Sequence, residues 1–425
     1  MAVATIELAL TGFILVMLVA QIISLKAKVP YTLVLVFIGL GIAVVSTLPL
    51  LGANPVSDTV EQAISAIKSI YSGLVEGGLF VGLVVPPLIF EAMVHIKAPD
   101  LRAVIRPAIV LATVGVVIAT AVGGLVLWQL TGLPLGISLL FAAIISPTDV
   151  VTVLEVFRRA KVPSKLTALM DTEAAFNDAT AIVVFSIVLA SMSLPSLQLA
   201  PAVASFGFAT LGGAAIGLAA AFVARWIGRT FDDKTAKVIL TIAAVYGSYV
   251  FATGLGTSGL IAVAVVGLYF GNVIMNVNIT PEAKEAVLNF WQIAAFIGNS
   301  VAFLLIGFET NIVEISRYSV FILVAYLSVT VARAASVYPI LAIFNQVGEK
   351  IPIAWSNVAM IGGMRGALSI ALAASLSASA VISGSDFDVI TSMALGVAFL
   401  SIVIQVPLLT QFLKKKFENQ AKLDP

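Results

Sequence analysis

The chain has 425 residues, 60% of them hydrophobic and only 11% charged, with a formal net charge of +1. Soluble domains carry about 25% charged residues, so a soluble enzyme, a disordered chain and a nucleic-acid binder with its basic field are all excluded. No Cys and a single His leave no disulfide, thiolate or iron–sulfur centre and no His-rich metal site. What remains is an all-α polytopic membrane protein, because lipid offers backbone polar groups few other partners. No cofactor is expected.

A spanning helix needs about 20 apolar residues. The apolar runs predict thirteen spans, over 5–24, 30–51, 70–91, 105–130, 135–157, 166–190, 201–225, 236–253, 258–276, 288–308, 318–344, 353–380 and 389–413. Of the 23 Lys and Arg, all but Lys68, Arg317, Arg333 and Arg365 fall on one face of this topology. That face holds Lys26 and Lys28, Lys97 to Arg106, Arg158 to Lys165, Arg225 to Lys237, Lys284, Lys350, and the tail from Lys414. The positive-inside rule places it in the cytoplasm. The protein is then a multi-pass protein of the cell membrane, N-terminus outside and C-terminus cytoplasmic, with an odd number of crossings. No cleavable leader is expected, because span 1 lacks a basic segment before it. Residues 414–425 read as a short tail without a regulatory domain. The stretch 52–69 reads either as an interfacial amphipathic helix or as a polar loop.

A charge near the bilayer centre costs about 2.5–3.5 kcal/mol on insertion scales, so each one needs a reason. Asp149, Glu173, Asp178, Arg333 and Arg365 lie within spans; Glu91 and Asp171 lie nearer their ends. Asp149 follows Pro147, which removes a backbone donor and breaks span 5. Ser146 and Thr148 place hydroxyls beside the freed carbonyls. This is either a cation-coordinating arrangement or a kinked helix with a satisfied Asp. Span 12 has a matching centre, with Gly362, Gly363 and Gly366 around Arg365. Interrupted helices at corresponding positions of two halves point to a transporter site. Spans 5 and 12 run in opposite directions, so spans 1–6 and 8–13 read as inverted repeats joined by span 7.

In span 6, at about 100° per residue, Glu173 and Asp178 point about 140° apart. Asp178 can share a site with Asp149, while Glu173 needs another partner. Arg333, in the middle of span 11, is the natural one, in a structural ion pair. Asp171 faces with Asp178, either lining an aqueous entrance or as a solvated helix-end acid. Arg365 either balances the half-helices or takes part in transport. Two carboxylates near one cation site hold protons or a cation, not both comfortably, and this competition in a two-state protein gives exchange. A channel would need a filter of carbonyls or charged rings, and no such loop is present. An intramembrane Asp–Asp protease using Asp149 and Asp178 fits less well with buried arginines and helix breaks, so no enzyme is expected.

Seven stretches carry a resemblance: VVPPLIFEA near 85–92, SPTDVVTVLEVF (146–157), TEAAFNDA (172–179), SGLIAVAVVGLYFGN (258–272), FLLIGFETN (303–311), ARAASVYP (332–339) and GGMRGALSIAL (362–372). Together they resemble the cation–proton antiporter-1 family, the sodium/proton exchangers, in its prokaryotic NhaP type. The resemblance implies an Na⁺ (or Li⁺)/H⁺ antiporter, with K⁺/H⁺ exchange as the alternative, working as a homodimer in the lipid bilayer. It implies one transmembrane domain over 1–413. Its ion-carrying core covers about 105–190 and 318–413, its dimerisation part about 1–91 and 236–308, and its linker span 201–225. It implies cation and proton binding at Asp178, Asp149, Thr148 and Asn177, with Na⁺ held by Asp178, Asp149 and Thr148. It further implies a Glu173–Arg333 ion pair and an accessory acid at Glu91 near the cytoplasmic entry, its other reading being an interfacial helix-end charge. Asn177 before the Asp implies electroneutral exchange, since Asn carries no titratable proton. Two departures bear on ion selectivity: Ala174 stands where the family usually has Ser, and Val150 where it commonly has Pro. A water, Thr148 or Ser146 can replace the missing oxygen.

Overall fold

The structure is a computed structural model. It describes residues 2–27, 29–47, 79–149, 151–160, 162–192, 199–275, 279–308, 312–349, 351–376, 381–382 and 384–418. The stretch 52–69 and Val150 lie outside these. The described residues form helices α1 (Ala2–Ala27), α2 (Tyr31–Thr47), α3 (Leu79–Val94), α4 (Ala98–Val110), α5 (Val116–Thr131), α6 (Leu135–Ile145), α7 (Val151–Ala160), α8 (Ser164–Ser191) and α9 (Leu199–Gly228). They continue with α10 (Lys234–Gly254), α11 (Gly259–Tyr269), α12 (Pro281–Phe308), α13 (Ile312–Arg317), α14 (Ser319–Phe344), α15 (Ile353–Ile361), α16 (Ala367–Ser375), α17 (Gly384–Leu400) and α18 (Val406–Leu413). No strand occurs among the described residues. Among the described residues, eight helical stretches are long and apolar enough to cross a membrane, and four shorter apolar helices accompany them.

Composition explains why these helices are apolar nearly all round. Their outer faces carry exposed Leu, Ile, Val and Phe, among them Leu211, Phe222, Phe251 and Ile293, which lipid tolerates and water would not. The helices pack in two sets. In one, α12 lies against α2 and α3, α11 against α3, α9 and α10, and α9 against α10. In the other, α14 lies against α5 and α17, α4 and α6 against α8, and α16 against α17. Small residues set the closest approaches. A Cβ on Gly217 of α9 would lie 2.8 Å from the Ala262 Cα of α11, so the two backbones meet where no side chain fits.

Three segments expected as uninterrupted α-helix contain π-helical turns, at Leu111–Gly115, Phe270–Ile274 and Ser401–Gln405. Such turns release a carbonyl from the regular ladder and occur often at functional positions. The last one leaves Ser401 facing the break between α15 and α16.

Candidate functional site

The stretch expected as span 5 forms the half-helices α6 and α7, and that expected as span 12 forms α15 and α16. After Ile145 the chain leaves the helix at Ser146, Pro147, Thr148 and Asp149. After Ile361 it runs through Gly362 to Gly366, whose extended backbone (φ −126°, ψ −158°) caps α16. The two interruptions face each other. The Asp149 amide donates to the Met364 carbonyl at 2.8 Å. Arg365 Nη1 donates to the carbonyls of Ser146 at 2.7 Å and Pro147 at 3.1 Å. The Arg365 amide donates to Ser401 Oγ at 3.1 Å. The guanidinium thus sits at the partly negative C-terminal end of α6, while Asp149 sits beside the partly positive start of α16. Gly366 makes the approach possible: a Cβ there would lie 2.6 Å from both Cβ and Oδ2 of Asp149.

Between the breaks and α8 lies a cavity of about 80 Å³, lined by Thr148, Asp149, Asp171, Ala174, Asp178, Asn299, Gly366 and Ser369, with an apolar wall from α3 and α12. Asp149 and Asp178, expected to share a site, do share this one. Thr148 lines it too, and its Oγ1 accepts a hydrogen bond from Asn177 Nδ2 at 2.7 Å. Asn177 is buried and holds Thr148 from behind instead of lining the cavity. Ser146 is not brought to the cavity wall. Its hydroxyl donates back to the Ala143 carbonyl at 2.9 Å, as helical hydroxyls commonly do. Arg365 also stays off the wall.

Glu173 points away from the cavity to Arg333 of α14. Arg333 Nη2 donates to Glu173 Oε2 at 2.9 Å, and Nη1 pairs with Oε1. Nε and Nη2 also donate to the Ala359 carbonyl of α15, at 3.2 and 3.0 Å. The fork geometry is satisfied on both edges, and both residues are buried.

A second hollow of about 340 Å³ is lined by Glu91, Ala92, His95, Thr167, Asp171 and apolar neighbours. Asp171 and Ala92 line both cavities, so the two adjoin there. His95, half exposed, donates through Nδ1 to the Glu91 carbonyl at 2.7 Å.

Two lining residues escape a sequence reading built on charges. Asn299, with Ser300, is a polar residue in the mostly apolar second half of α12, and that contrast was its signal. Ser369 lies one turn after Gly366, hence on the face of α16 that meets the break.

The family model described as "Sodium/hydrogen exchanger, transmembrane" matches residues 14–415. The Na(+)/H(+) antiporter ApNhaP of Aphanothece halophytica is 33% identical over 389 residues, covering 91% of this chain and 69% of that protein. The Na(+)/H(+) antiporter NhaP of Pseudomonas aeruginosa is 33% identical over 333 residues, covering 75% and 77%. Among solved structures, the sodium proton antiporter MjNhaP1 from Methanocaldococcus jannaschii at pH 8 superposes with a TM-score of 0.76 over 97% of this chain and 99% of that one. At 20% identity, that likeness speaks to the fold.

Proposed function

Because the chain belongs to the sodium/hydrogen exchanger family, we propose that it is a secondary antiporter that exchanges Na⁺ for H⁺ across the membrane. Its relatives' names speak for Na⁺ over K⁺ as the cation. The observation that carries the reading is the cavity holding Asp149 and Asp178 between two interrupted helices. Two carboxylates facing one small cavity repel each other unless a cation or a proton intervenes. Na⁺ bound by Asp149, Asp178 and Thr148 therefore displaces protons, and protons displace Na⁺. Asn177 fixes Thr148 and adds no proton, which supports a one-for-one, electroneutral cycle. Li⁺ fits the same chemistry.

The Glu173–Arg333 pair, bonded onward to Ala359, ties α8, α14 and α15 into one body. We assign it a structural role, and Arg365 the role of neutralising the carbonyl ends at the first break. The set containing α4–α8 and α14–α18 is then the ion-carrying core. The set containing α1–α3 and α10–α12 is the dimerisation part of a homodimer, with α9 as linker. Thirteen crossings, with the basic connections and the C-terminus in the cytoplasm, complete the arrangement. The hollow at Glu91, His95 and Asp171 serves as the cytoplasmic approach.

The test uses proteoliposomes with a pH-sensitive dye, an imposed proton gradient and Na⁺, Li⁺ or K⁺ in turn, with and without a voltage clamp. Cation-dependent proton movement that ignores voltage and is lost in Asp178→Asn is the expected result. Absence of such movement at every pH, or its survival in folded Asp178→Asn, overturns the assignment.

A further inference from the structure

Ser369 is fully buried on α16, lines the cavity of Asp149 and Asp178, and its Oγ has no hydrogen-bond partner in the protein. That is costly for a hydroxyl, which ordinarily finds a partner when removed from water. Ser138, Thr152 and Thr172 are also buried without a partner, but none of them lines this cavity, and other buried serines satisfy themselves. Ser328 donates to Ala325 at 2.8 Å, Ser336 to Arg333 at 3.0 Å and Ser401 to Ala398 at 2.7 Å, each bonding back to its own helix. Ser369 differs because its helix begins at Ala367. Its i−3 residue is the extended N-cap Gly366 instead of a residue inside the helix, and the hydroxyl makes no back-bond there. On the opposing wall α8 presents Ala174, which has no oxygen to offer.

We propose that Ser369 Oγ is a ligand of the transported cation, a neutral oxygen from the second interrupted helix that completes the set begun by Asp149, Asp178 and Thr148. This rests on the exchange reading above and deepens it. A hydroxyl oxygen can accept the cation's charge without taking up a proton at these pH values. Ser369 therefore raises cation affinity without changing the count of protons exchanged. Both interrupted helices then supply ligands, so that cation binding bridges α16 to the Asp149 segment.

The experiment measures Na⁺-driven proton movement in proteoliposomes for the wild type, Ser369→Ala, Ser369→Thr, and Ser369→Ala combined with Ala174→Ser. Loss of one neutral ligand is expected to raise the KM for Na⁺ by about five-fold or more, with kcat changed by less than about two-fold. Ser369→Thr keeps the oxygen and is expected to keep the wild-type KM. Ala174→Ser places a hydroxyl on the facing wall and is expected to bring the Ser369→Ala protein most of the way back. Rescue from another helix distinguishes a ligand from a packing residue. A Ser369→Ala protein with unchanged KM overturns the proposal, as does a raised KM in Ser369→Ala and Ser369→Thr alike that Ala174→Ser does not lower. In either case an active wild type leaves the exchange reading standing; a wild type that moves no protons sinks both.

Discussion

Arg333 and Glu173 form a two-pronged ion pair inside the helix bundle, and the same guanidinium spends its remaining edge on the Ala359 carbonyl. One side chain joins α14 to its neighbour α15 and to α8, 160 residues away in sequence. Removing either partner leaves a buried charge with nothing to neutralise it, which costs about 3–5 kcal/mol. Glu173→Gln and Arg333→Ala are therefore expected to lower the thermal unfolding midpoint in detergent sharply. The double replacement Glu173→Gln, Arg333→Met should recover part of the loss. A normal melting curve for either single variant would show that the pair does not hold the bundle.

Gly366 stands against Asp149 with no room for a methyl group. Its extended backbone suits other residues well enough, so space alone excludes them. Gly366→Ala must push α16 away from Asp149 or turn the carboxylate. Overpacking of this kind costs about 1–3 kcal/mol, which a protein of this size survives. The expected result is a folded variant whose exchange rate falls by at least about ten-fold, since small misplacements at a site are expensive. Wild-type exchange in Gly366→Ala would mean that Asp149 does not need its present position.

Competition between Na⁺ and protons for Asp149 and Asp178 fixes the sign of the pH response. As pH rises, fewer protons occupy the carboxylates, so the KM for Na⁺ falls. In the acidic range, one displaced proton per cation gives about a ten-fold fall in KM per pH unit, and two would give about a hundred-fold. The one-for-one cycle proposed above, to which Asn177 adds no further proton, predicts the shallower slope. Initial rates over a grid of Na⁺ concentration and pH measure it. A KM independent of pH would remove these carboxylates from the ion path.

The positions of both helix breaks were legible in the sequence, because Pro147 and the glycines around Arg365 have few other uses in the middle of an apolar run. The separation of Glu173 from Asp178 was legible too, since helical geometry sends residues five apart to different faces. What Arg365 touches was not. Its acceptors are carbonyls of Ser146 and Pro147, 219 and 218 residues away in sequence, and backbone oxygens carry no residue signature. Ser146 looked equal to Thr148 as an oxygen donor, and a local bond to Ala143 decided between them. The π-helical turns left no mark either, since residues such as FGNVI and SIVIQ suit either ladder and packing selects. Ser369 was hidden because a hydroxyl in an apolar helix usually satisfies itself on its own backbone.

The mutual bonding of the two breaks reaches back to how the protein is made. Ser146, Pro147 and Asp149 leave the ribosome long before Met364 and Arg365, yet the two groups bond to each other. While the second half is still being translated, the carbonyls destined for Arg365 sit in the bilayer without it, and the acid of the first half faces no opposing helix end. The cavity takes its lining from both halves, so a chain ending before Met364 lacks the wall that Gly366 and Ser369 supply.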